Sequence, residues 1–384
     1  MTWAHKTKQL PITLATDHMN NAEGVVGQAL GITSIDFTAL ELFGAAARCS
    51  HMHFVDPLLV TSESQMIAAL IQHHVDDMSD EFAVLSSAND FKDYVKSFFV
   101  GTVAAGVSYL TMIKGGYHWS DHFENVVGVG TKGRTPDFVF ASVEAGVALT
   151  EAKGTRSSGK NSFDSVVEAG YLGQVEPHLG KSIGAIEASH GFCIGSWLTS
   201  TTKAEILVHQ TETEPSDDKK VDHYSLGLVQ RQNYATALSL VFGSSYGTQF
   251  RRGFVERVPL LLRFQWQGRH WLTRSPHREE FRSWPDDYDE PRWWYDRYQL
   301  YFAIDQGIAK KVLSYFRSSQ ASAVRGDMEI DPIPQDVIDQ ARGSRGGLEG
   351  AIFPDGLAVM GAQFRPENPR LVRWDLEEGQ FSFV

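Results

Sequence analysis

The chain has 384 residues, 42% hydrophobic and 21% charged, so it exceeds the size of a typical single core and is neither disordered nor fibrous. A formal charge of −12 excludes a globally basic nucleic-acid binder, and any grip on a polyanion must be local or shared with a partner. Two cysteines, Cys49 and Cys193, cannot form a disulfide framework, and the polar start MTWAHKTKQL lacks the apolar stretch of a secretory signal, so a cytoplasmic location is expected.

In chain order, LPITLATDH reads as a strand, and helical spacing of apolar residues covers Ile67 to Val75 and Phe91 to Ile113. The apolar stretch Ser97 to Ile113 is near the short limit for spanning a bilayer and carries Gly101, Thr102, Gly106, Ser108 and Thr111. It is expected to be a buried core helix rather than a membrane segment. HWSDHFENV is expected to be helical, with His118, Asp121 and His122 forming a polar helical face. After the Gly-rich GVGTKGRTPD come DFVFASV and VALTEAK, two strands joined by a turn at Glu144 to Gly146. NSFDSVVEAGYLGQVEPHL has Phe163, Val166, Val167, Tyr171 and Val175 at helical spacing, and GFCIGSWL and AEILVHQ look like strands.

TETEPSDDKKVD, at 211–222, reads as a polar linker. Beyond it, HYSLGLVQRQNYATALSLVF and Trp293 to Phe316 are expected as helices, VPLLLRFQWQGRHWLTR as a hairpin turning at Gln267 and Gly268, and 318–350 as loop. The expected organisation is an N-terminal α/β region at 1–115, an α/β core at 116–211 and a C-terminal α+β region at 223–384.

The chemistry concentrates in TEAKG. Alternation along a strand puts Glu151 and Lys153 on one face and Ala152 on the other. If the two strands pair as a hairpin, Asp137 at the start of one lies beside Glu151 at the end of the other. Two converging carboxylates suit Mg²⁺, and a neighbouring lysine can orient water or stabilise charge on phosphate.

These residues, TPD followed after thirteen residues by EAK, resemble the signature of the PD-(D/E)XK, or restriction-endonuclease-like, nuclease superfamily, over roughly residues 117–210. The resemblance implies a mixed central sheet flanked by helices and Mg²⁺, with Mn²⁺ able to substitute. It implies metal ligands at Asp137, Glu151 and the backbone carbonyl of Ala152, a catalytic Lys153, an acidic residue on the preceding helix, matched by Glu124, and a glutamine on the following helix, matched by Gln174. The expected substrate is nucleic acid, DNA ahead of RNA, in a role such as restriction, phage defence or toxicity, with a protein partner or activating subunit as an option.

Two alternatives overlap this stretch. GTRSSGKN has the spacing of a phosphate-binding P-loop ending on Lys160, but Asn161 stands where a Ser or Thr should hold Mg²⁺. A catalytically silent member of the nuclease fold acting as a binding module is the other. A zinc site at Cys49, His51 and His53, or at His73 and His74, has poor ligand spacing. Between Arg251 and Arg282 lie eight arginines, no lysine and three acids, interleaved with aromatics. Arg263, Arg269 and Arg274 are therefore candidates for phosphate contact, with Lys160 as a loop lysine that can join them; the alternative is a hairpin whose aromatics are core and whose arginines are solvated or paired with the acidic run Asp286, Asp287, Asp289 and Glu290.

Overall fold

The computed structural model describes residues 3, 6–19, 29–50, 57–128, 133–156, 159–183, 186–199, 203–212, 223–253, 260–274, 301–321, 328, 330–361 and 364–384. The protein is of the mixed α/β class and divides into two compact units, residues 1–52 with 66–233, and residues 53–65 with 234–384. The expected boundary near residue 115 does not separate units. Strands from both sides of it hydrogen-bond into one sheet.

In the first unit, chain order runs β1 (Lys8–His18), β2 (Ser34–Phe37), α1 (Ala39–Cys49), α2 (Pro57–His74), α3 (Asp93–Lys114), β3 (Trp119–His122) and α4 (Phe123–Val127). It continues through β4 (Phe138–Ser142), β5 (Gly146–Thr155), α5 (Lys160–Gly170), the two-residue strands β6 (Ser182–Ile183) and β7 (Ile186–Glu187), β8 (His190–Trp197) and β9 (Glu205–Thr211). α2 begins among residues of the second unit, and α6 (His223–Phe242) ends there. The sheet order is β2-β1-β9-β8-β5-β4-β3, with β3, β4 and β5 antiparallel in succession, β5 parallel to β8 and β9 parallel to β1.

The first six residues of β5 are all buried, as expected of a strand covered on both faces. On one side, a Cβ at Gly154 would lie 2.8 Å from Val100 and Ala104 of α3. On the other, a Cβ at Gly195 of β8 would lie 2.4 Å from Val167 and 2.6 Å from Phe163 of α5. Glycines therefore let a helix press on each face of the sheet. α3 is apolar nearly all round, the pattern of a core helix. It is long and apolar enough to cross a membrane, but 67% of its most apolar stretch is buried within the protein. α1, packed on α3, is started by a capping box in which Thr38 and Glu41 satisfy each other's backbone amides.

Two local expectations change. HWSDH is a strand rather than helix, because Trp119 and Asp121 are drawn into pairing with Ala141 and Val139, and only Phe123 to Val127 is helical. Asp121 is buried, its Oδ1 accepting from the His122 amide at 2.8 Å and from Asn125 Nδ2 at 3.1 Å, so it does not belong to an exposed polar face. Val166, expected on the apolar side of α5, is 47% exposed, while Phe163, Val167 and Gly170 carry the packing.

The second unit contains α7 (Ser244–Arg252) and a seven-stranded sheet in the order β13-β14-β12-β11-β10-β15-β16. Its strands are β10 (Leu261–Trp266), β11 (Arg269–Arg274), β12 (Tyr301–Asp305), β13 (Gly350–Ile352), β14 (Leu357–Met360), β15 (Glu367–Asp375) and β16 (Gln380–Phe383). The β10–β11 hairpin turns at Gln267 and Gly268, both with positive φ (49° and 69°), as a two-residue primed turn requires. The helices expected over Trp293 to Phe316 and the loop expected over 318–350 are both revised. Residues 293–300 lie outside the described residues, Tyr301–Asp305 is a central strand, and α8 (Gln306–Ala321) begins only where the Asp305 Oδ1 caps the Ile308 amide at 3.0 Å. α9 (Gln335–Gly343) lies within the stretch read as loop, its Ile338 and Ala341 buried despite the polar composition around them.

Candidate active site

β4 and β5 pair from Ser142↔Gly146 to Phe138↔Thr150, so one further residue along the register sets Asp137 opposite Glu151. The Asp137 carboxylate is pinned there, because its Oδ2 accepts the Ala152 amide at 2.9 Å. Glu151 and Lys153 share the sheet face covered by α5, where a Cβ at Gly170 would come within 3.0 Å of Lys153 Cε and 2.8 Å of Cys193 Sγ. The Lys153 ammonium donates to Glu151 Oε1 and, at 2.9 Å, to Gln174 Oε1.

Gln174 reaches Lys153 because the helix changes pitch. Continued α-helical spacing from Phe163 and Val167 would put residue 174 on the packed face. A π turn at Tyr171–Val175 inserts one extra residue, so Val175 is buried instead and Gln174 is released to the polar side. Its Nε2 donates to the Thr135 carbonyl at 3.0 Å, and Thr135 Oγ1 donates to Glu124 Oε1 at 3.5 Å. Glu124, Gln174, Lys153 and Glu151 are therefore links of one hydrogen-bonded chain, and Asp137 stands across the strand from its end. Thr135, quoted within TPD but given no role by sequence reasoning, is the joint of that chain. No periodicity marks it, since it contributes its backbone carbonyl as much as its hydroxyl.

The electrostatics follow from burial. Glu151 is only 2% exposed, not at a solvent-facing strand end, and its carboxyl is raised from 4.5 to about 8, first by burial and then by Asp137, against the pull of Lys153. Asp137 is also raised by burial, opposed by the Ala152 amide and the Lys153 charge. The two carboxyls face each other across the register, and Glu151 Oε2 is buried with no hydrogen-bond partner among the described residues. The hard-oxygen donors and the orphaned oxygen fit Mg²⁺, which needs only one or two carboxylates. Among the described residues no group of three His, Cys, Asp or Glu side chains is spaced to hold an ion, so a backbone carbonyl such as that of Ala152 and waters would have to complete the shell.

His122 borders this pair. Its ring lies 5.1 Å from that of Phe138, burial lowers its pKa, and Nε2 has no partner among the described residues. Asp121, Glu124 and Asp137 oppose that shift.

The remaining candidates are not brought to this site. Lys160 starts α5, and its ammonium is paired with Glu205 at 2.7 Å and lies 5.8 Å from the Trp197 ring centroid. Gly154, which the P-loop reading needs as a turn residue, is a strand residue pressed on α3. Cys49 is buried, which raises its thiol to about 12, while His51 and His53 lie outside the described residues. His73 and His74 end α2, with His74 Nδ1 2.9 Å from Ser87 Oγ. The three arginines of the hairpin do not form one track. Arg263 and Arg274 share a face by register, but Arg269 projects from the other and is bound at 2.8 Å to the buried Asp305. No family model, curated protein or solved structure matches the chain.

Proposed function

We propose that the chain is a divalent-metal-dependent nuclease with a restriction-endonuclease-like core, hydrolysing phosphodiester bonds in the cytoplasm, with DNA ahead of RNA as substrate. One observation carries this reading: Asp137 and Glu151 face each other across the β4–β5 register, with a buried Glu151 oxygen that no described residue bonds and Lys153 fixed beside it. The order α3, β3, α4, β4, β5, α5, β8 contains the helix, strands, helix, strand succession of the superfamily that the motif resembles, with the short α4 that carries Glu124 inserted between β3 and β4.

Asp137, Glu151 and the Ala152 carbonyl are the residues that would hold Mg²⁺, which when bound polarises a phosphate oxygen and acidifies a water. The protein's own contribution is positioning. The Ala152 amide holds Asp137, while Gln174, itself tied to Thr135, holds the Lys153 ammonium where it can orient the attacking water and stabilise charge gathering on phosphate. Water forms the new bond to phosphorus, the ester P–O bond breaks, and the leaving oxygen takes up a proton. A role in restriction, phage defence or toxicity, alone or with an activating subunit, is compatible with this chemistry.

The test is incubation of the purified chain with plasmid, linear DNA and RNA in Mg²⁺, Mn²⁺ or EDTA. Cleavage is expected only with metal, and Asp137→Ala or Lys153→Ala should reduce it by ~10²-fold or more, whereas Lys160→Ala should change it little. Inactivity of the wild-type chain on all three substrates with both metals, or a dead Lys160→Ala beside an active Lys153→Ala, would sink the proposal.

A further inference from the structure

The second unit holds a cationic cluster that contacts among the described residues leave without a counter-charge. Arg263 of β10 and Arg370 of β15 are direct register partners, and like charges opposite one another on neighbouring strands destabilise a sheet. Phe383 of β16, paired with Val372, brings its ring close to both, with the Arg263 and Arg370 guanidinium carbons 5.5 and 5.4 Å from the ring centroid. That ring is 58% exposed. Arg263 Nε donates to Gln306 Oε1 at 2.7 Å, which fixes the plane of the guanidinium without neutralising it. Among the described residues no carboxylate pairs with either arginine, although the nearby Arg269 has one in Asp305. The exposed His270 adds a further donor one pair along the hairpin, opposite Gln265.

We propose that Arg263, Arg370 and Phe383 form a binding site for single-stranded nucleic acid, the arginines taking backbone phosphates and the exposed ring stacking a base. Charge complementarity selects a polyanion, since its phosphates offset a repulsion that no described carboxylate relieves. The aromatic ring selects one with planar groups, and single strands offer their base faces where duplexes hide them. The preference for nucleic acid over other polyanions rests on the nuclease reading of the first unit, while the cluster itself does not.

The full chain in EDTA is titrated with a fluorescent oligothymidylate and followed by anisotropy across a salt series, so that binding is read without cleavage. The Arg263→Gln, Arg370→Gln double variant should lose about 1.4 units of the logarithmic salt slope, at roughly 0.7 per phosphate for a single strand. Phe383→Ala should weaken binding roughly 5- to 150-fold, the range for one stacked base, and Phe383→Leu, which keeps the apolar packing of β16, should weaken it similarly. Heparin should compete without sensitivity to Phe383. Unchanged affinity and slope in a double variant that melts like the wild type would overturn the site. A Phe383 variant that binds as the wild type while the arginine variant does not would reduce the cluster to an anion patch and overturn the single-strand assignment. A wild-type chain that binds the oligonucleotide through these residues yet cleaves nothing would support this inference while the nuclease reading fails.

Discussion

At Glu151, position and protonation are inseparable. Burial beside Asp137 raises its carboxyl to about 8, whereas in the unfolded chain it titrates near 4.5. Between those values the folded protein holds the extra proton, so metal-free stability should fall as pH rises, by about 1.4 kcal/mol per pH unit at the steepest, and level off above about 8. Denaturant unfolding across that window should show the slope in the wild type and lose it in Glu151→Gln. Saturating Mg²⁺ should also flatten it, because the ion displaces the proton. An identical slope in Glu151→Gln would assign the linkage to another group. The same residue illustrates what alternation along a strand can and cannot say. The shared face of Glu151 and Lys153 follows from a two-residue repeat, but the burial that makes the carboxyl unusual depends on α5 packing over that face of the sheet.

At the scale of elements, the site depends on helices seated closely on a sheet. A Cβ at Gly195 would lie 2.4 Å from the Val167 side chain, so Gly195→Ala must push α5 outward, and the π turn carrying Gln174 with it. The expected outcome is a loss of about 1–3 kcal/mol in stability together with reduced cleavage, measured by thermal unfolding and turnover. An unshifted melting temperature would show that α5 is free to yield. In the second unit, Asp305 caps α8 with one oxygen and accepts Arg269 Nε with the other while only 3% exposed. Arg269→Leu leaves that carboxylate without its cation and should cost about 2–3 kcal/mol, discounted toward the lower figure because Arg269 is partly solvated, with little effect on oligonucleotide affinity. Weakened binding at full stability would return Arg269 to the role of phosphate contact that its sequence suggests.

For the whole molecule, a net charge of −12 provides no general attraction for a polyanion. A protein with six to ten phosphate contacts loses roughly 10³- to 10⁵-fold in affinity between 50 and 200 mM salt. Two arginine contacts to a single strand predict a loss of less than about tenfold over the same interval. A salt titration of oligonucleotide affinity decides between them, and a steep dependence would require a larger basic surface than Arg263 and Arg370 supply.

The sequence by itself determined the parts of this protein whose signals are local. The β4–β5 and β10–β11 hairpins, the apolar α3 and the shared face of Glu151 and Lys153 follow from side-chain periodicity and turn chemistry, which act over a few residues. Tertiary structure alone decided that β1 and β2 join the sheet of the candidate site, that HWSDH pairs as a strand, and that residues 301–305 form a strand where helical spacing was read. It also decided that Arg269 is consumed by Asp305 while Arg370, distant in sequence, stands beside Arg263. These outcomes turn on which strands become neighbours, a long-range matter of burial and pairing that propensity does not encode. Thr135 and the π turn belong with them, because a backbone carbonyl and a change of helical pitch acquire meaning only when Lys153 and Gln174 have been brought within hydrogen-bonding distance.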